Sequence, residues 1–172
     1  MAEFEPAVKI ILQHEGGFVD HPSDPGGATN RGITFQLFKQ YATSLQLSKT
    51  VEALKGLTED QAKFIYREHF WDKMQGNRFL NQQVANLVFD GFVNMGANGI
   101  KTFQRAIGAV ADGVVGSGTL IAINSAAPSI AFDQIKEQRI KFYNDLVVRK
   151  PKLQVFLKGW LNRVNSFVYK VS

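Results

Sequence analysis

Apolar residues recur at steps of three and four through most of this chain, and that spacing commits it to helices. Phe4, Val8, Ile11 and Glu15 fall on one stripe, widened by Ala7 and Leu12, so residues 4–15 are expected to form an amphipathic helix. Further helices are expected over about 35–44, 50–56, 59–74, 82–94, 99–107, 117–124, 128–148 and 153–169. Thr58-x-x-Gln61 supplies a capping box for the helix at 59–74, Pro128 heads the longest one, and Pro151 separates that from the last. A single stretch breaks the period. Gly16-Gly17 stop the first helix, and Pro22, Pro25, Gly26, Gly27, Asn30 and Gly32 then make a turn-rich segment. It has room for a short irregular hairpin around 18–20 and 31–34. The expected fold class is mainly α, a helical bundle with a small β-hairpin corner beside the first helix.

At 172 residues the chain has the length of one domain or two small ones. It has no cysteine, which excludes disulfides, thiolate catalysis and Cys-ligated zinc or iron–sulfur sites. No apolar run approaches the roughly 18 residues of a membrane span. Met1-Ala2-Glu3-Phe4-Glu5 has neither the basic start nor the apolar stretch of a signal peptide.

Charge is unevenly placed. Residues 1–135 carry 11 Lys+Arg against 13 Asp+Glu, a net of −2, whereas residues 136–172 carry 9 against 2, a net of +7. Such a tail suits nucleic acid, an anionic membrane or an envelope polymer, and a solvated helical face is the plain alternative. Phe142, Tyr143, Phe156, Trp160 and Phe167 sit there at helical spacing and read as core, which argues against nucleic acid.

Two motifs dissolve on inspection. His14-Glu15-Gly16-Gly17-Phe18 starts like the zinc-protease H-E-x-x-H helix, but Phe18 replaces the second histidine and two glycines would break the helix. Neither His21 nor His69 repairs it, so no metal site is expected. Gly27-Ala-Thr-Asn-Arg-Gly32-Ile33-Thr34 has the glycine spacing of a P-loop, yet Ile33 stands where the phosphate-binding lysine belongs.

Glu15 carries more. Its place on the apolar stripe starts its carboxyl from the core-facing side, where desolvation raises the pKa toward that of a general acid. A helix-end Glu that turns to solvent or pairs with an Arg is the competing reading. Asp24 follows in Ser23-Asp24-Pro25-Gly26-Gly27, a turn that would keep its carboxylate wet and ionised, although Asp before Pro-Gly also serves simple turn chemistry. Asp20 is the other candidate. A protonated Glu facing an ionised Asp is the pairing that glycoside hydrolysis requires. Thr29 has a hydroxyl able to hold a water.

Residues 14–34, HEGGFVDHPSDPGGATNRGIT, resemble the signature of glycoside hydrolase family 108, the bacterial and phage N-acetylmuramidases. The likeness continues through Phe70-Trp71, Phe89-Asp90-Gly91-Phe92-Val93-Asn94-Met95-Gly96, Asp112-Gly113-Val114-Val115-Gly116 and Gly159-Trp160-Leu161-Asn162-Arg163, so it spans nearly the whole chain. Phe18, where the family usually has Tyr, and His21, where a small polar residue is common, depart from it.

The resemblance implies a lysozyme-like α+β fold and hydrolysis of the β-1,4 bond between N-acetylmuramic acid and N-acetylglucosamine. It puts the catalytic Glu on Glu15. The wider phage-lysozyme pattern adds an Asp after eight intervening residues, which Asp24 satisfies, and a Thr that Thr29 precedes by one position, leaving Thr34 as a rival. Asn94 would bond a sugar acetamido group or cap its helix. Trp71 would stack on a sugar or pack in the core. Phe103-Gln104-x-x-Ile107 before Asp112-Gly113 resembles peptidoglycan-binding modules, with plain helix packing as the alternative.

These implications set the expectations for the whole protein. Residues 1–95 would form the catalytic region and 96–172 a helical peptidoglycan-binding region packed with it. The function would be that of a phage-type endolysin, a monomer acting on peptidoglycan glycan strands without metal or cofactor. It would be made in the host cytoplasm and reach the wall through a holin or other release, with basic residues 136–172 adhering to an anionic envelope. A lytic transglycosylase using Glu15 alone, or a non-catalytic wall-binding or secretion-associated protein, are the rivals.

Overall fold

The first helix, α1 (Phe4–His14), buries Phe4, Ala7, Val8 and Ile11 and leaves its other faces to water, as the stripe requires. Pro6 sits in its first turn, where a missing N–H costs no intrahelical bond. The computed structural model describes residues 1–14, 16–20 and 27–171. Among these, two compact units are distinguished: Phe4–Asp72, and Met1–Glu3 with Lys73–Ser172.

In the first unit α1 is followed by a β-hairpin of β1 (Thr29–Asn30) and β2 (Ile33–Thr34), then α2 (Phe35–Tyr41), α3 (Val51–Lys55) and α4 (Glu59–Tyr66). Thr29 pairs with Thr34 and Asn30 with Ile33, so Arg31-Gly32 form a two-residue turn. Both turn residues have positive φ, 50° and 74°, the geometry of a type I′ turn that matches strand twist. Val19 adds an antiparallel bridge to Thr29 on the other side. The hairpin thus lies later in the chain than the expected pairing of 18–20 with 31–34, which keeps only Val19 from its first arm.

Thr58 and Gln61 form the reciprocal capping box at the head of α4, with bonds of 3.2 and 2.9 Å. The helix expected to run to 74 instead changes at Arg67–Trp71 into a π-helical turn, marked by the Asp72 N–H bonding Arg67 O at 2.9 Å. Val8, Ile11, Ile33, Phe38, Leu54, Ile65 and Tyr66 make the core of this unit.

The second unit contains α5 (Gln82–Met95), α6 (Ala97–Ala106), α7 (Ser117–Ser125), α8 (Pro128–Arg149) and α9 (Gln154–Ser166), all within a few residues of the expected spans. The long α8 packs against α5, α6 and α9. A single residue joins α5 to α6. Gly96, at φ 56°, caps α5 through its N–H to Phe92 O and accepts from the Gly99 N–H at the start of α6. The two helices then touch backbone to backbone, because a Cβ on Gly99 would lie 2.2 Å from Gly91 O. After α9 the chain returns to α5, where Lys170 and Gln83 exchange two hydrogen bonds of 2.8 Å. The mainly helical expectation with one small hairpin is therefore the fold observed.

Candidate active site

The hairpin is held from below by polar side chains. Asn30 is buried and donates through Nδ2 to Leu54 O at 2.9 Å and Lys55 O at 3.0 Å, satisfying carbonyls at the end of α3. Arg31 Nε donates to Leu57 O at 3.1 Å, and the Tyr66 hydroxyl donates to Arg31 O at 2.9 Å. The left-handed conformation of Arg31 is thus stabilised at both its side chain and its carbonyl. Four bonds to α3, α4 and their connection make this turn a rigid platform.

Thr29 sits on that platform. Its backbone exchanges two 2.8 Å bonds with Val19, and its hydroxyl donates to Gly27 O at 3.4 Å. Thr34 serves differently: its Oγ1 accepts from the Leu37 N–H at 3.2 Å as the N-cap of α2. Asp20 is exposed. Glu15 and Asp24 lie outside the described residues, as does His21. Of the described residues that flank them in the chain, α1 ends at His14, Val19 pairs with Thr29, and Lys55 Nζ lies 5.6 Å from the Phe18 ring centroid.

Trp71 needs a correction. Its side chain has no exposed surface, and its ring meets the Phe4 ring edge-on at 5.8 Å. It is a core residue of the π-helical turn and has no face to offer a sugar. In the same turn His69 Nδ1 and the Tyr41 hydroxyl share a 2.9 Å hydrogen bond. Burial, and secondarily the charge of Glu68, push the Tyr41 phenol above its ordinary value.

Asn94, in the second unit, is exposed near the end of α5, and its Nδ2 donates to Asp90 O one turn earlier at 2.7 Å. The capping that Asn94 was expected to offer is done by Gly96. Gln104 is fully buried and organises the glycine turn that follows α6. Its Nε2 bonds Asp112 Oδ1 at 2.8 Å and Val114 O at 2.9 Å, and its Oε1 accepts from the Gly113 N–H at 2.8 Å. The Asp112 carboxylate accepts the Val114 N–H as well. Donation from Val114 and then from Gln104 holds its pKa below the usual carboxylate value.

Residue-level reading of the sequence did not single out one charge cluster. Asp90 is completely buried in α5, with Arg139 of α8 at 2.6 Å from Oδ2 and Arg163 of α9 at 2.8 Å from Oδ1. Burial works against the Arg139 charge, and the Asp90 carboxylate and the Tyr143 hydroxyl together more than offset it, so the guanidinium pKa is raised. The signal was present as a lone acid in the otherwise apolar run Leu87-Val88-Phe89-Asp90-Gly91-Phe92. Two of the nine cations of the basic tail are therefore structural. Of its aromatics, Tyr143 and Phe167 are buried and Trp160 stacks between Tyr143 and Phe156, but Phe156 itself is exposed.

Comparison with known proteins agrees with this architecture. The sequence model of the family described as glycosyl hydrolase 108 matches residues 8–96, and that of a predicted peptidoglycan domain matches residues 98–165. Comparison with curated proteins found no match. Among solved structures the chain is similar to SagA from Brucella abortus, at 33% identity over 95% of this chain and 90% of that one, with a TM-score of 0.80. With that likeness the fold is lysozyme-like. The chain belongs to the glycosyl hydrolase 108 family and is a glycoside hydrolase that acts on peptidoglycan.

Proposed function

We propose that the protein is an N-acetylmuramidase of endolysin type, cleaving the β-1,4 bond between N-acetylmuramic acid and N-acetylglucosamine with Glu15 as general acid. One observation carries the reading. The buried face of α1 runs through Phe4, Val8 and Ile11, and Glu15 is the next step of that stripe in the sequence, inside the segment matched by the hydrolase family. A carboxyl that starts from the apolar side of a helix end loses hydration and holds its proton to higher pH.

In the reaction Glu15 gives its proton to the glycosidic oxygen as the C1–O bond breaks, and C1 becomes oxocarbenium-like. Asp24 stabilises that positive charge as a carboxylate and receives the proton of the attacking water if the enzyme inverts. Thr29 supports the water from the hairpin. Its hydroxyl makes only a long bond to Gly27 O, whereas the Thr34 oxygen is engaged as a helix cap, which favours Thr29 of the two. Asn94 retains a carbonyl oxygen that can accept from an acetamido N–H.

The functional division proposed is a catalytic region over 1–95 and a peptidoglycan-binding region over 96–172, supported by family matches that change between residues 96 and 98. The enzyme acts as a monomer on the wall after release from the cytoplasm of a phage-infected host. Exposed Arg149, Lys150, Lys152 and Lys158 supply the contact with an anionic envelope.

Mass spectrometry of soluble fragments from purified peptidoglycan tests the mechanism, with wild type beside Glu15→Gln and Asp24→Asn. Reducing N-acetylmuramic ends, abolished by Glu15→Gln and sharply reduced by Asp24→Asn, are expected. Anhydro-muramic ends with Asp24→Asn fully active would replace this reading with a transglycosylase.

A further inference from the structure

An open groove of about 670 Å³ lies between α6 and α8, wholly inside the second unit. Its size falls in the range of about 300–1,000 Å³ that small-ligand sites occupy. Asn98, Thr102 and Arg105 line it from α6, and Gln138, Lys141 and Asp145 from α8. Thr102 is 4% exposed, and its Oγ1 has no hydrogen-bond partner among the described residues. A buried hydroxyl in a groove wall without a protein partner calls for one, from water or from a group that enters the groove.

The charges in the groove are unbalanced in a way that names the ligand. Lys141 Nζ is paired with Asp145 Oδ2 at 2.6 Å, and Arg149 Nε is turned onto the Asp145 carbonyl at 3.2 Å. Arg105 is exposed on the opposite wall and has no ion pair among the described residues. Three cations against one carboxylate leave the groove positive, and a guanidinium offers the planar, two-point fork that fits a carboxylate. Asn98 and Gln138 add amides with both donor and acceptor capacity, the complement of peptide groups. Phe142 and Val148 give a small apolar wall suited to methyl side chains.

We infer that the α6–α8 groove is a binding site for a short acidic peptide with a free carboxylate, the chemistry of the stem that peptidoglycan carries on its muramic acid. Arg105 takes the carboxylate, Thr102 bonds the peptide backbone, and Asn98 and Gln138 read the adjoining amides. The enzyme would thereby hold the peptide and the glycan of its polymer by different surfaces. This rests on peptidoglycan as the substrate and goes beyond it by saying which part of the polymer the helical region holds.

The test is titration of ¹⁵N-labelled full-length protein with a synthetic stem tetrapeptide, with the same peptide amidated at every carboxylate, and with an N-acetylglucosamine tetramer. Expected are amide shifts at Asn98, Thr102, Arg105 and Gln138 with the free-acid peptide alone. Arg105→Gln should weaken binding at least tenfold and Thr102→Val at least threefold, whereas Lys49→Gln, exposed in the other unit, should leave it unchanged. Equal binding of the amidated peptide, shifts confined to other surfaces, or a groove filled by the sugar instead would each overturn the inference. Fragment release from purified walls is measured on the same samples. Release without any peptide response refutes the groove alone, whereas peptide binding without release from any wall type refutes the muramidase reading and leaves the groove standing.

Discussion

Replacing Gly99 by alanine adds one methyl group where two helices already touch through their backbones. A Cβ built there lies 2.2 Å from Gly91 O, 2.5 Å from Gly91 C and 2.9 Å from Phe92 N, all main-chain atoms of α5 that cannot rotate away. Relief to an ordinary contact requires α5 and α6 to separate locally by about 1 Å, which overpacking studies price at about 1–3 kcal/mol. Alanine returns up to about 1 kcal/mol of helix propensity relative to glycine. The separation also pulls on Asp90, adjacent to Gly91, and its two arginines, so the upper half of the range applies and a net loss of about 2 kcal/mol is expected. For a chain of this size that is a fall in Tm of about 4–8 °C. Gly91→Ala is the matched control, since its Cβ would meet only Arg139 Nη1 at 3.9 Å, an ordinary contact. It should melt at or slightly above the wild-type temperature. Circular-dichroism melts of the three proteins decide it, and a Gly99→Ala protein that melts with the wild type would refute the close-packing argument.

Three further perturbations probe the polar framework. Asp90→Ala leaves Arg139 and Arg163 without their shared buried carboxylate and should cost about 3–5 kcal/mol in urea unfolding; a loss below about 1 kcal/mol would mean that water reaches the cluster freely. Asn30→Ala orphans the Leu54 and Lys55 carbonyls, so a loss of about 1–3 kcal/mol is expected, with a fall in fragment release beyond what stability explains because Thr29 shifts with the hairpin; an unchanged release rate would detach Thr29 from the site. Asp112 has a folded-state pKa below its unfolded value, so its contribution is present above the unfolded pKa of about 4 and is lost as pH falls through the folded one. Asp112→Asn should therefore be less stable than wild type at pH 7 and converge on it in acid, and parallel Tm curves across pH 2–7 would contradict this.

Helices in this chain were legible because their signal is local. The 3.6 period, the Thr58–Gln61 box and Pro128 all act within one or two turns, and each element they announced is present. The π-helical turn was not legible, since its Asp72-to-Arg67 bond depends on burying Phe70 and Trp71 in a core assembled from other elements. Trp71 shows the same limit from the other side: helical spacing places a large aromatic on an apolar face and is silent on whether a sugar or Phe4 covers it. The hairpin turn could be read from Gly32, but its partner at the left-handed position is Arg31, which no turn propensity favours and which Leu57 and Tyr66, distant in sequence, hold in place.

The candidate site divides along the same line. Glu15 and Asp24 are proposed from their spacing and from the family resemblance, because a helix end, a glycine stop and a proline turn follow one another there in a short stretch of chain. Arg139 and Arg163 have no such signature, for they meet Asp90 from far along the sequence, and only its incongruity within an apolar helix hints at them. A charge there is costly unless paired, and the pairing draws α5, α8 and α9 onto one point. The same α5 carries Asn94 one turn later and Gly91 against α6, which brings Thr102 and Arg105 to the groove. A single buried carboxylate therefore sets the register of the helices that present both the exposed Asn94 and the α6–α8 groove. Loss of Asp90 should accordingly disturb peptide binding in the groove as well as stability, although no ligand touches it.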